Sequence, residues 1–268
     1  MRRHVCVACG TQHADAPQPP AECRICEDDR QYVPRIGQQW TTHEDLLRDH
    51  TIMSGDDDGV FALSMTPSFA INQRAALVTS KDGNVLWEAL SIVTDEAIAE
   101  INRRGGAQAI AISHPHFYTS MIEWSEALGG IPVLLHGADR QWVARASSRI
   151  EYWSGASLSI NADLTLISCP GHFPGSTVLH WKSGAKGLGA LMLGDSIQVA
   201  MDRRHASIMH SYPNAVPVGP SVLRDVQRRL EAYEFENAYG YAWGRNIIGN
   251  ARNAIERSIA RYLDAIST

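Results

Sequence analysis

Apolar positions along this chain switch between short compact runs and helix-like spacings, and the order of those switches carries most of the architecture. Val60–Met65, Ala75–Thr79 and Val85–Ala89 read as strands, the last two joined by the turn Lys81-Asp82-Gly83-Asn84. Thr94–Arg104 spaces Ile98 and Ile101 as a helix does, and Gly105-Gly106 stops it. Ala107–Ile112 reads as a strand, Met121–Leu128 as a helix and Pro132–Leu135 as a strand. Further strands are expected at Leu164–Ser168, Thr177–Trp181 and Leu188–Leu193, then amphipathic helices over Pro220–Tyr233 and Asn246–Ile266. Ahead of these, Thr42-His43-Glu44-Asp45 opens a short helix, with Thr42 as N-cap and acidic residues in the first turn. Hairpin strands passing into alternating helices and strands predict an α/β protein with two sheets and helices outside, an αββα sandwich. No Gly-rich turn stands between a strand and a helix, which argues against a dinucleotide-binding fold.

Composition narrows the function classes. The 268 residues are 44% apolar and 20% charged, with a net charge of −5, an ordinary globular balance. With no long basic stripe, nucleic acid is not an expected partner. No run reaches membrane-spanning length and the start lacks a signal peptide's apolar stretch, so no membrane partner is expected and the expected compartment is the cytosol.

Four of the five cysteines fall within the first 26 residues, as Cys6-x2-Cys9 and Cys23-x2-Cys26 with thirteen residues between the pairs. Each pair suits a metal knuckle, and two knuckles make a tetrahedral four-sulfur site of the zinc-ribbon or rubredoxin-like kind, with zinc preferred over iron. Gly10 supplies the backbone freedom of the first turn. The loop holding Pro17, Pro19 and Pro20 has too little apolar content to fold unaided, so metal binding would supply its folding free energy. The division expected is a four-cysteine module at 1–33, a linker and short helix at 34–54, and one large domain at 55–268.

The second concentration of chemistry lies at predicted strand ends. Ser113-His114-Pro115-His116-Phe117-Tyr118-Thr119 follows Ala109–Ile112; Cys169-Pro170-Gly171-His172-Phe173-Pro174-Gly175-Ser176 follows another apolar run; Leu193-Gly194-Asp195 ends a third. Three imidazoles and a carboxylate suit a borderline-soft divalent ion such as zinc.

These three motifs, in this order, resemble those of the metallo-β-lactamase superfamily, and in particular its glyoxalase II-like hydrolases, over residues 55–265. The resemblance implies the αββα fold and places His114, His116 and His172 as ligands, with Asp195 as the carboxylate that usually bridges two metals. It also shows what is missing. Tyr118 stands where the family has Asp, Thr119 where it has His, and no histidine follows His210. The second metal site has therefore lost three protein ligands, which leaves a mononuclear centre.

The function expected is a zinc hydrolase acting on a small-molecule ester, thioester or lactone. Asp195 is the base or water-orienting group, and Tyr118 a hydroxyl for an oxyanion or leaving group. An Fe(II) oxidoreductase resembling persulfide dioxygenases and a non-catalytic binding protein are the alternatives. Cys169 reads as a small buried residue. His136, His205 and His210 are secondary candidates for the site, Trp243 and Arg245 candidates for its lining, and Arg245 a candidate for binding an anionic substrate group. The loops Ala146–Ile160 and Ser196–Pro220 carry no chemical signature. Homo-oligomerisation through the amino-terminal module is a further expectation.

Overall fold

Successive residues of a strand face opposite ways, and in this chain both directions lead into apolar surroundings. Val85 and Trp87 enter one buried layer and Leu86 another; Ala109 and Ala111 part from Ile110 in the same way, as do Leu164 and Leu166 from Ile167, and Ala190 and Met192 from Leu191 and Leu193. Strands apolar on both faces must lie between other layers. The computed structural model, which describes residues 2–266, satisfies this with two stacked sheets and helices outside each.

The first sheet has seven strands in chain order: Thr51–Asp57, Val60–Thr66, Ala75–Val78, Val85–Trp87, Ala109–Ala111, Val133–His136 and Ile150–Trp153. Its first four are an antiparallel meander; the last four run parallel. The second sheet runs Ser157–Ser159, Leu164–Ser168, Thr177–Trp181, Ala190–Gly194, Asn237–Gly240 and Asn246–Ile247. Val60, Val78, Trp87 and Leu134 of the first sheet meet Leu166, Leu179, Met192 and Tyr239 of the second in the central layer. The outer face of the second sheet packs on helices Pro220–Leu230 and Ala251–Ile266 through Leu223, Val226, Ile255 and Ile259.

The outer face of the first sheet packs on helices Asp95–Arg103 and Met121–Ala127 and on the amino-terminal segment. Val5, Cys6, Cys9, Cys23, Ile25 and Cys26 share one apolar cluster with Leu86, Ile110 and Trp124. The four-cysteine segment is thus part of the outer layer rather than an appendage. Strand His4–Cys6 pairs with Trp40–Thr42, which leads into helix His43–Asp49. Thr42 Oγ1 accepts the Asp45 N–H at 3.1 Å, the expected N-cap.

Several elements differ from the sequence reading. Thr51–Asp57 forms an edge strand although it begins inside the segment expected as linker and helix; its polar side chains need no second covering layer. Ile150–Trp153 and Ser157–Ser159 are strands within the expected loop Ala146–Ile160. The last helix begins at Ala251, not Asn246, because Asn246 is recruited elsewhere. Its side-chain amide binds Asp57 Oδ1 at 3.0 Å and Asp58 Oδ2 at 2.9 Å, and its Oδ1 accepts from Arg74 at 3.0 Å. Gly249 and Asn250 then turn the chain in left-handed conformations. No helix among the described residues is long and apolar enough to cross a membrane.

Arg74 and Asp57 form a buried ion pair that joins the meander to the end of the second sheet. Removing one partner leaves an uncompensated buried charge, so Arg74→Met is expected to lower the unfolding free energy by about 3–5 kcal/mol. Urea denaturation measures this, and a loss below about 1 kcal/mol would contradict the role given to the pair.

Candidate metal centre

The two histidine loops and the Asp195 turn leave their strands at the same end of the sandwich. A backbone bond from Thr177 N–H to the Ser113 carbonyl, 2.9 Å, stitches the loop of the first sheet to that of the second. The result is one cluster in which ligand atoms of His114, His116, His172 and Asp195 all lie within 4.8 Å of one another. All four residues are buried, with 1–5% of their surface exposed.

Each imidazole has one nitrogen directed by the protein or one left over. His172 Nδ1 faces the carbonyls of His210 at 2.9 Å and Met209 at 3.3 Å. A carbonyl only accepts, so Nδ1 carries the proton and Nε2 keeps its lone pair. That Nε2 lies 3.2 Å from His116 Nδ1. His114 Nδ1 bonds Ser113 Oγ at 2.7 Å, while the buried Nε2 atoms of His114 and His116 have no hydrogen-bond partner. Asp195 Oδ1 accepts from Gln198 Nε2 at 3.0 Å.

These atoms fit a divalent cation. Two nitrogens each ~2.0–2.1 Å from one tetrahedral ion stand ~3.3 Å apart, close to the observed spacing. Burial drives all three histidines toward the neutral form that ligates, His172 to about 4. Burial also pushes the Asp195 carboxyl up to about 7. Neutral imidazoles beside a carboxyl denied water form a site that a cation would complete.

Gly194 makes the approach of Asp195 possible. Its φ is +55°, and a Cβ there would stand 2.3 Å from Ser113 Oγ and 2.9 Å from Glu88 Oε1. Glu88 itself escaped the sequence reading, though its signal was present: one carboxylate inside the apolar run Val85–Ala89. It is fully enclosed, adopts φ +67°, and accepts the Ser113 N–H at 3.2 Å. Burial pushes its carboxyl up to about 8. Positive φ at a non-glycine residue costs on the order of 1–3 kcal/mol and is tolerated where the surroundings enforce it; Thr119, just past His116, is another such residue.

The remaining candidates separate cleanly. Tyr118 is enclosed in the outer core, and burial holds its hydroxyl protonated. The acidic groups it senses are Asp139, Tyr152 and Glu88 rather than Asp195. His136 lies edge-on to Trp153 and accepts the Ala138 N–H; His205 pairs with Asp202 near the surface. The His210 ring points to Asp29 at 2.9 Å, so that residue serves the centre through its carbonyl alone. Cys169 is sealed in the core, its thiol pushed up to about 12. Trp243 packs on Gly55, and Arg245 donates to the Val199 carbonyl. Aromatic rings the sequence did not flag wall the imidazoles: Phe173 lies 5.0 Å from His116 and 5.1 Å from His172, and Tyr212 lies 5.3 Å from His172. Tyr241 stacks on Phe117.

The four amino-terminal cysteines are also gathered, all buried with free thiols. Cys6 and Cys26 sulfurs are 3.6 Å apart, Cys9 and Cys23 sulfurs 3.7 Å. A disulfide needs about 2.05 Å, whereas sulfurs ~2.3 Å from one tetrahedral ion stand ~3.8 Å apart. Gln38 Nε2 donates to Cys6 Sγ at 3.2 Å, and hydrogen bonds from the neighbouring thiols, Cys26 first, hold Cys23 well below an ordinary thiol. Gly10 has the expected left-handed φ of +79°.

Elemental analysis should find two bound ions per chain, falling to one in a His114→Ala/His116→Ala variant; a single ion in both proteins would mean the imidazole cluster takes none. The pH dependence follows from Asp195, whose carboxyl is protonated below about 7 until a cation displaces the proton. Zinc affinity of this cluster should be flat above about pH 7 and fall about tenfold per unit below it, because His172 stays neutral to about 4. Competition with a chromophoric chelator measures the slope, and Asp195→Asn should abolish it.

No protein-family model matches the chain. The uncharacterized protein YmaE of Bacillus subtilis (strain 168) is 39% identical over 271 residues, covering 100% of this chain and 98% of that protein. Among solved structures, VMB-1 has a TM-score of 0.59 at 13% identity, over 80% of this chain and 98% of that one. The metallo-β-lactamase SMB-1 in complex with mercaptoacetic acid gives 0.51 at 16% identity, over 78% and 93%. The Flv1 flavodiiron core from Synechocystis sp. PCC6803 gives 0.54 at 11% identity, over 80% and 61%. The chain belongs to one family with YmaE, and it carries the metallo-β-lactamase fold with a four-cysteine cluster at its amino-terminal end.

Proposed function

We propose that this protein is a metal-dependent hydrolase that opens an ester, thioester or lactone bond of a small molecule at a mononuclear centre. The observation that carries the reading is the buried set of His114, His116, His172 and Asp195, in which His114 Nε2 has no partner within the protein and His116 Nδ1 stands 3.2 Å from His172 Nε2. Tyr118 and Thr119 stand in the sequence where the resembling family has the Asp and His ligands of a second ion, and this supports a single-ion centre. A divalent ion, zinc for preference, would be held by those four residues and would supply Lewis acidity and a water of lowered pKa.

The chain's own groups supply the rest. The carbonyls of His210 and Met209 fix the His172 tautomer, and Gln198 fixes one oxygen of Asp195. Asp195 is the carboxylate placed to orient the attacking water, take its proton and return it to the leaving alcohol or thiol, so that water adds across the acyl bond with no other reactant. Tyr118, enclosed in the outer core, keeps its proton and is no base. Phe117, Phe173, Tyr212 and Tyr241 exclude bulk water and favour a small, largely apolar substrate. Free thiols throughout suit a reducing compartment, and we place the protein in the cytosol.

The same nitrogen and oxygen donors accept ferrous iron, and one fold neighbour is a flavodiiron core, so an iron-dependent oxidoreductase is the second reading. A panel of activated esters, thioesters and lactones separates them. Zinc-loaded protein should turn over at least one class, lose activity to a chelator and regain it with zinc; Asp195→Asn should lower kcat by about 10²–10⁴-fold. Inactivity of fully metallated protein across the panel, with oxygen uptake by iron-loaded protein given a thiol persulfide, would replace the hydrolase reading with the second.

A further inference from the structure

The segment that follows Cys26 runs directly over the imidazole cluster. Arg30 Nε donates to the His172 carbonyl at 2.5 Å, and its guanidinium lies over the Phe173 ring at 4.7 Å. Its NH1 donates to Asp28 Oδ1 at 2.7 Å, while Asp28 Oδ2 accepts from Trp142 Nε1 at 3.2 Å. Between them, Asp29 Oδ2 lies 2.9 Å from His210 Nε2, and the Asp29 carbonyl accepts from Asn214 at 2.9 Å. His210 is the residue whose carbonyl takes the His172 Nδ1–H. His172 is therefore gripped at its backbone by Arg30 and at its ring by His210, and both holders are tied to residues two to four positions beyond Cys26. A second strap joins the modules: the Gln12 N–H, three residues after Cys9, donates at 3.1 Å to the carbonyl of Thr119, three residues after His116.

We propose that Arg30 is a positioning residue for His172 and that residues 28–30 couple the four-cysteine site to the imidazole site, so that an ion in either raises the affinity of the other. The inference rests on the reading of His114, His116, His172 and Asp195 as a cation site. An ion among the thiolates orders the proline-rich loop and the segment behind it; that segment sets His172; and coupling between two binding sites is reciprocal. Arginine suits the post because one planar group donates along Nε, pairs through NH1 and stacks on an aromatic face.

Electrostatics alone points the other way, which makes the test sharp. The Arg30 charge lies close enough to disfavour positive charge on His116 and His172, so deleting it should tighten cation binding if charge were its only contribution. Cobalt(II) titration of the full chain separates the sites, since only the four-cysteine site gives thiolate-to-metal absorption. Arg30→Ala is expected to weaken cobalt binding at the imidazole site 10–100-fold, as loss of an outer hydrogen-bonding partner does, with Arg30→Lys failing to restore it. In the wild type, filling the imidazole site should slow chelator extraction of cobalt from the thiolates, and Arg30→Ala should remove that effect. Unchanged or tighter binding in Arg30→Ala overturns the proposal. Should that variant not fold, Asp29→Asn on an exposed residue decides, no weakening again overturning it. A wild type that binds cobalt only at its thiolates would instead remove the cation reading of the cluster, and the coupling with it.

Discussion

The face-to-face packing of the two sheets is the constraint on which everything else rests. His114 and His116 belong to a loop of the first sheet, His172 and Asp195 to turns of the second, and no local segment carries more than two of the four. Only the central layer, where Val60, Trp87 and Leu134 meet Leu166, Leu179 and Met192, sets the sheets at the depth that brings those loops together. The Thr177–Ser113 backbone bond then fixes their register at the site end, and the Arg74–Asp57–Asn246 network fixes the far edge of the second sheet. A centre built this way inherits the rigidity of a packed interior, which an ion demanding fixed donor spacing requires.

Burial gives the centre its chemistry. The same exclusion of water keeps three imidazoles neutral and raises the carboxyls of Asp195, Glu88 and Asp139. Glu88 and Asp139 hold backbone N–H groups of the two histidine loops, at Ser113 and Gly175. They brace the loops, while Asp195 faces the imidazoles. Tyr118, Tyr212 and Tyr241, whose hydroxyls burial keeps protonated, give the surroundings donors and apolar faces but no further anionic ligand.

The amino-terminal segment completes the outer layer of the first sheet and reaches across to the second. Through Arg30 and Asp29 it touches the loop of His172 and the strand of His210, so the four-cysteine cluster and the imidazole cluster share a mechanical frame.

The sequence by itself determined which donors cluster and most of the layers. Cys6, Cys9, Cys23 and Cys26 were legible because metal knuckles are local, and each pair needs only its own turn. His114, His116, His172 and Asp195 were legible because each closes an apolar run, which places it at a strand end whatever the sheet order. Hairpin strands passing into alternating helices and strands announced two sheets under helices. What the tertiary structure alone decided depends on partners distant in the chain. Thr51–Asp57 is a strand only because Val60–Thr66 offers it an edge, and Asn246 leaves the last helix because Asp57, Asp58 and Arg74 compete for its amide. Glu88 braces the His114 loop only because Ser113 folds over it, and His210 directs its ring outward to Asp29 while lending its carbonyl inward. Arg30 lies 142 positions from His172, a separation across which no periodicity or spacing rule speaks. Donor types and strand ends are properties of short segments, whereas which donor faces which is settled by packing.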